Sequence, residues 1–147
     1  VKGVYRDRII VECGDVQMGR RIPFLDKVDT GPKWVTYTDG VAMVGSGDVL
    51  VTVEDILSMY KVHLALPDVS VMCLLGTSFK QLYRNHLKGI EEIYWMLDGD
   101  GAGARGTVKG MRELAPWVTR QKVIILPPGN DPKDLHIKQI QELFYDR

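Results

Sequence analysis

The chain has 147 residues, 45% hydrophobic and 26% charged, with 19 Lys/Arg balanced by 19 Asp/Glu. That length suits one domain with room for a small appended subdomain, and it is long enough to bury a core. Neutrality excludes a generally adhesive polycation, and no apolar run approaches membrane-spanning length, so no membrane partner is expected.

Cys13 and Cys73 lie far apart outside any C-x-x-C pattern, and His63, His86 and His136 are scattered, so no zinc site is visible. The two thiols are read as small buried groups in a reducing, cytoplasmic setting. The chain opens on valine with no signal-peptide pattern, and is read as a processed product or a piece of something longer. Charge is unevenly spread. Residues 49–101 hold seven Asp/Glu against four Lys/Arg, whereas residues 102–147 hold eight Lys/Arg against five Asp/Glu. An acidic centre beside a basic flank suits metal and polyanion chemistry, or else reflects solvated faces.

Residues 1–47 read as an irregular β region. Arg8 to Glu12 forms a strand, Gly14-Asp15 a turn, Met18 to Leu25 a second strand, and Lys33 to Thr38 a third after the Asp29-Thr30-Gly31-Pro32 turn. Trp34 and Tyr37 in this region either pack or stack bases. Gly45-Ser46-Gly47 reads as a hinge into a second domain, 48–147, where strands and helices alternate. Val49 to Val53 is a β-branched strand, and Asp55 caps a helix running to about Leu66. Val69 to Leu75 is the next strand, closed by Gly76-Thr77. A helix with Phe79, Leu82, Tyr83 and Leu87 on one face then ends near Gly89. Ile93 to Leu97 is a third strand, followed by an Asp/Gly loop and a helix to about Ala115. Lys122 to Leu126 is a fourth strand, and Ile137, Ile140 and Phe144 mark a last amphipathic helix. Such alternation predicts an α/β fold, a mainly parallel four-stranded sheet flanked by helices, preceded by a small mixed β subdomain.

The carboxyl edge of a parallel sheet is where a ligand is expected. Glu54, Gly76-Thr77, Asp98, Asp100 and Asp131 all fall just past strand ends. Glu54 closes an apolar strand, where a carboxylate has no packing role, and it is read as a metal ligand or general base. Asp98 and Asp100, two residues apart after a strand, can share one divalent cation. Hard oxygen donors without nearby His or Cys favour Mg2+ or Mn2+. Asp131 and Asp134 flank a Pro-containing loop and serve either as ligands or as turn caps. On the helix after the acidic loop, Ala104, Val108, Met111 and Ala115 form an apolar stripe. Arg105, Lys109 and Arg112 form a basic one, which holds a nucleic-acid backbone or a triphosphate unless it is simply solvated. Gly103, Gly106 and Gly110, each costing about 1 kcal/mol relative to Ala, point to close packing or close approach of a ligand.

With these residues placed, the chain resembles a TOPRIM domain, and within that superfamily the catalytic core of bacterial and phage replicative DNA primases. Val51-Thr52-Val53-Glu54, Leu74-Leu75-Gly76-Thr77, Leu97 to Gly103 and Leu126 to Asp134 match its motifs in order and spacing. Arg8-Ile9-Ile10-Val11, Gly19-Arg20 and Pro32-Lys33-Trp34 resemble the small subdomain that precedes the fold in those primases. The chain departs from the pattern at Asp55 and Ser58, where the family usually has Gly and, four residues beyond the glutamate, Asp. It departs again at Asp131-Pro132-Lys133, where the family has D-P-D.

The resemblance implies an enzyme that joins ribonucleoside triphosphates into RNA primers on a single-stranded DNA template. It implies Glu54, Asp98 and Asp100 as catalytic groups, and Mg2+ or Mn2+ held by those three and Asp131. Lys33, Arg8, Arg20, Arg105, Lys109 and Arg112 would contact nucleotide or template, and a replicative helicase would be a partner, in the cytoplasm of a bacterial or phage-infected cell. A metal-dependent nuclease on the same carboxylates, or a catalytically weak nucleic-acid-binding replication module, are the alternatives.

Overall fold

A computed structural model describes residues 7–22 and 32–146 of the chain. Two compact units are present, Val1–Ala42 and Met43–Arg147. Residues 43–47, assigned from sequence to the N-terminal subdomain, thus fall in the second unit.

In the first unit β1 (Arg8–Cys13) and β2 (Val16–Arg21) form an antiparallel hairpin, and β3 (Trp34–Thr36) pairs antiparallel with β2. Gly14 makes the hairpin turn at φ +55°, a left-handed conformation that glycine adopts without a Cβ clash. Cys13, Val16 and Met18 are buried. The Thr38 hydroxyl ties the turn to the strand that follows, accepting from the Gln17 N–H at 2.8 Å and donating to the Asp15 carbonyl at 2.6 Å. Of the expected second strand, residues 23–25 lie outside the described residues.

The second unit is built on a five-stranded sheet in the order β4-β6-β5-β7-β8. Its strands are β4 (Ala42–Val44), β5 (Val49–Val53), β6 (Ser70–Cys73), β7 (Glu92–Trp95) and β8 (Arg120–Val123). β5 runs parallel to β6 and β7, and β7 parallel to β8. The expected four-stranded sheet is therefore corrected to five. Ala42–Val44 is too short to show alternation in sequence, yet it supplies an edge strand beside β6. Leu50 through Val53 are buried without interruption, as befits a central strand covered on both faces.

The helices cover those two faces. Tyr94 and Trp95 are consecutive in β7, so their side chains point oppositely. The Tyr94 ring packs on Phe144 of α3 (Ile137–Tyr145), which lies against α1 (Ile56–Ala65). Trp95 faces the other way, towards Phe79 and α2 (Gly101–Leu114). The segment expected as an α-helix around Tyr83 is a 3₁₀ stretch, Gln81–Leu87. Its tighter winding leaves Tyr83 and Leu87 buried and turns Leu82 outward, 38% exposed, while Phe79 is buried just before it. The Tyr83 hydroxyl donates to the Leu74 carbonyl at 2.8 Å, which fixes the segment to the end of β6.

In α2 the glycines, read from sequence as a sign of close packing or close approach of a ligand, make the contact with the sheet. The stripe of Ala104, Val108, Met111 and Ala115 does not face the core, and Val108 is 51% exposed. The buried positions are Gly103, Gly106, Thr107, Gly110 and Leu114. Size decides it: a Cβ at Gly110 would overlap the Trp95 ring, and one at Gly106 would lie 2.5 Å from the Thr77 carbonyl. The helix backbone itself forms the contact, and only glycine permits that approach. Among the described residues no helix is long and apolar enough to cross a membrane.

Candidate metal centre

Three segments meet at the carboxyl edge of the sheet. β5 ends at Val53, which places Glu54 and Asp55 at its tip and lets Asp55 begin α1. The Asp55 carboxylate accepts from Leu57 N–H at 2.9 Å, Ser58 N–H at 3.1 Å and the Ser58 hydroxyl at 2.9 Å. β7 runs on through Met96 and Leu97 into Asp98, whose backbone N–H donates to Glu54 Oε1 at 3.0 Å. The loop after β8 is joined to the Asp98 loop by two backbone hydrogen bonds, Gly99 N–H to the Asn130 carbonyl and Gly129 N–H to the Gly99 carbonyl. A Cβ at Gly99 would lie 2.5 Å from the Pro127 carbonyl, so glycine is what lets the two loops close. This closure brings Asp131 beside Asp98.

Asp55, Asp98 and Asp131 each present a carboxylate oxygen within 4.8 Å of the others, the spacing a single cation can span. Glu54 lies next to them, and Gly103 leaves room for it, since a Cβ there would come 2.9 Å from Glu54 Oε1. Asp98 Oδ1 is buried and has no hydrogen-bond partner. Burial, together with the charges of Glu54 and Asp131, pushes the Asp98 carboxyl up to about 7, and Lys133 only partly opposes this. Burial likewise raises Glu54 above its ordinary value, opposed by the Asp98 N–H and aided by the charges of Asp100, Asp131 and Asp55. A buried oxygen without a donor on Asp98, with both Asp98 and Glu54 raised by burial and neighbouring carboxylates, marks negative charge that a cation would balance. Hard oxygen donors of this kind fit Mg2+ or Mn2+.

The remaining expected site residues take other places. Asp100 is exposed and caps α2, accepting from Gly103 N–H at 2.7 Å, so it stands outside the group of three while its charge still reaches Glu54. Asp134 accepts from Asp131 N–H at 3.1 Å and closes the 3₁₀ turn Pro132–Asp134. Arg105, Lys109 and Arg112 are exposed along α2 and line one groove with Ala104 and Val108. Ala104 and Val108 also line a second groove of about 450 Å³ that reaches Asp98 and Asp100 between α2 and β8. In the first unit Arg8 is engaged with backbone, its guanidinium donating to the Gly19 carbonyl at 3.2 Å and the Pro32 carbonyl at 3.1 Å. Arg20 lies over the Trp34 ring at 5.2 Å, and Lys33 is exposed.

Sequence reasoning gave Asp55 only a capping role and treated Lys133 as a departure from pattern. The structure brings both into the cluster. Lys133 Nζ is 2.8 Å from Asp55 Oδ2 and also hydrogen-bonds Asp131 Oδ2. A base standing where an acid was expected, beside retained acids, was the available signal.

The comparisons with known proteins agree with this architecture. A DNA primase of Deinococcus radiodurans is 26% identical over 152 residues, covering 88% of this chain and 26% of that protein, so the chain spans about a quarter of this curated relative. The Aquifex aeolicus primase, solved as its zinc-binding and RNA polymerase domains, superposes with a TM-score of 0.73 at 22% identity, covering 97% of this chain and 42% of that one. A DnaG primase catalytic domain solved bound to single-stranded DNA gives 0.69 at 23% identity, covering 97% and 51%. These likenesses show a shared fold. Residues 53–136, more than half of the chain and all of the carboxylate cluster, match the Toprim-like family, and the chain belongs to that family.

Proposed function

We propose that the chain is the core of a DNA primase, which synthesises RNA primers on single-stranded DNA by metal-dependent nucleotidyl transfer. The observation that carries this reading is the buried, unpartnered Oδ1 of the half-buried Asp98, set among Glu54, Asp55 and Asp131. It stands in a Toprim-like chain whose fold is shared with primase catalytic cores. Glu54 and Asp98, beside Asp131, would hold Mg2+ or Mn2+. When bound, such an ion neutralises triphosphate charge and lowers the pKa of the attacking 3′-hydroxyl.

The chain's own groups do the positioning. Asp98 is anchored through its backbone to Glu54, so the two carboxylates keep a fixed spacing. Asp100 holds the first turn of α2 beside them and adds negative charge at the mouth of the site. Arg105, Lys109 and Arg112 offer a row of cations for a phosphate backbone, on a groove that adjoins the one reaching Asp98. Lys33 is presented by backbone that Arg8 ties down at Pro32, and with Arg20 it would contact nucleotide or template. The DnaG domain's complex with single-stranded DNA supports the template class. A replicative helicase as partner, and work in the cytoplasm of a bacterial or phage-infected cell, follow from the same reading.

The test is incubation with labelled single-stranded DNA, ribonucleoside triphosphates and Mg2+ or Mn2+. Lengthened products are expected. Asp98→Asn should lower their yield by about two orders of magnitude or more, since the ion supplies several kcal/mol of charge stabilisation. Shortened template would show a nuclease, and full synthesis by Asp98→Asn would sink the assignment of the centre. One observation favours a catalytically weak binding module as the second reading: Lys133 already occupies two of the clustered carboxylates.

A further inference from the structure

We propose that the Lys133 ammonium is a built-in cation that fills the Asp55–Asp131 half of the cluster, leaving Glu54 and Asp98 to hold one divalent ion. The proposal rests on the reading of the cluster as a metal centre, and concerns how many ions that centre takes.

The geometry divides the carboxylates into two kinds. Asp55 and Asp131 each give an oxygen to the same Lys133 Nζ. Asp98 Oδ1 is buried without a hydrogen-bond partner, and Glu54 Oε1 receives a backbone N–H. An exposed lysine pair contributes little and exchanges freely, but this one is enclosed, with side-chain exposures of 23% for Lys133, 21% for Asp55 and 29% for Asp131. Both acceptors are also fixed from behind. Asp55 is held by three hydrogen bonds at the start of α1, and Asp131 by its place in the 3₁₀ turn closed by Asp134. A divalent ion bridging Asp55 and Asp131 would have to expel the ammonium from a position enclosed by two opposite charges. An ion at Asp98 and Glu54 does not have to break the Lys133 hydrogen bonds, although the ammonium's charge reaches Asp98. Four carboxylates and one ammonium leave net negative charge, with the unpartnered oxygen on Asp98, and Lys133 is a positioning residue that sets ion number.

Counting bound Mn2+ by electron paramagnetic resonance at near-physiological pH tests this without any turnover. The wild-type chain should bind one ion. Lys133→Met keeps the aliphatic stem and removes the charge, and Lys133→Gln does so with a polar end; both should bind two. Lys133→Arg should stay at one. Thermal melting gives a second readout: the metal-free Lys133→Met protein should melt below wild type, and saturating Mn2+ should raise its melting temperature by more than it raises that of wild type. Two ions in the wild type, or one ion in both neutral variants with an unchanged Mn2+ response, would overturn the proposal while leaving the metal centre standing. No ion in wild type or variants would overturn the metal centre itself, and this proposal with it.

Discussion

Asp98 is placed where its charge is costly to the empty protein, and that cost has a measurable pH signature. Its folded-state pKa is pushed up to about 7 from an ordinary 3.8 by burial and by the charges of Glu54 and Asp131. Between those two values the folded chain holds a proton that the unfolded chain has released. Stability of the metal-free protein should therefore fall as pH rises from about 4 to 7, and level off above that. Glu54 is shifted in the same direction, whereas Asp55, despite burial that would raise it, is lowered by Lys133 and Ser58 and works the opposite way at lower pH. Chemical denaturation in the presence of a chelator should show the decline in wild type and a flatter profile in Asp98→Asn. An unchanged profile in that variant would assign the decline elsewhere. Asp100 makes a contrast. Asn caps helices as well as Asp does, so Asp100→Asn should keep α2 intact, whereas Asp100→Ala should cost about 1 kcal/mol in denaturant midpoints. The places of Glu54 and Asp98 just past β5 and β7 were legible in the sequence, because acids that follow apolar strands have no packing reason to be there. The Lys133–Asp55 pair was not, because its partners are 78 residues apart and no local pattern records the contact.

At the scale of elements, α2 shows which signals a single sequence carries and which it hides. Its start after the Asp/Gly loop and its stop before Pro116 were readable, as were the β-branched run of β5 and the Asp55 cap of α1, because each depends on neighbours in sequence. The close packing of α2 was readable in the cost of Gly103, Gly106 and Gly110, whereas what they pack against was not, because the Trp95 ring and the Thr77 carbonyl are remote in sequence. Gly110→Ala decides between propensity and packing. Helix propensity favours Ala by about 1 kcal/mol, but the new Cβ would overlap the Trp95 ring, and overpacking costs about 1–3 kcal/mol. Net destabilisation is expected in urea titrations. Gly101→Ala is the control, since a Cβ there meets only the flexible end of Arg105 at 3.1 Å, and it should be neutral or stabilising. A stabilised Gly110→Ala protein would contradict the close seating of α2 on β7.

For the whole molecule, the separation of charge along the sequence becomes a separation on one surface of the second unit. The carboxylates collect at the ends of β5 and β7, and Arg105, Lys109 and Arg112 line the outer groove of α2, which shares Ala104 and Val108 with the groove reaching Asp98. Only the helical spacing of those three cations was visible in sequence; their nearness to the acidic centre depends on the Asp98–Gly103 loop turning directly into the helix. If this row carries the backbone of a single strand, its contribution is electrostatic and should appear in the salt dependence of binding. Each phosphate contact on single-stranded nucleic acid contributes about −0.7 to the slope of log affinity against log salt. The triple variant Arg105→Ala, Lys109→Ala, Arg112→Ala keeps a helix-favouring residue at each position, so α2 should persist. Its slope for single-stranded DNA, measured by fluorescence anisotropy across a salt series, should be shallower than wild type by about 2. Mn2+ binding in the same protein should be unchanged, because none of the three residues touches the carboxylates. A slope that stays at the wild-type value would mean the strand runs elsewhere, and loss of Mn2+ binding alongside it would mean the variant had disturbed the fold rather than the groove.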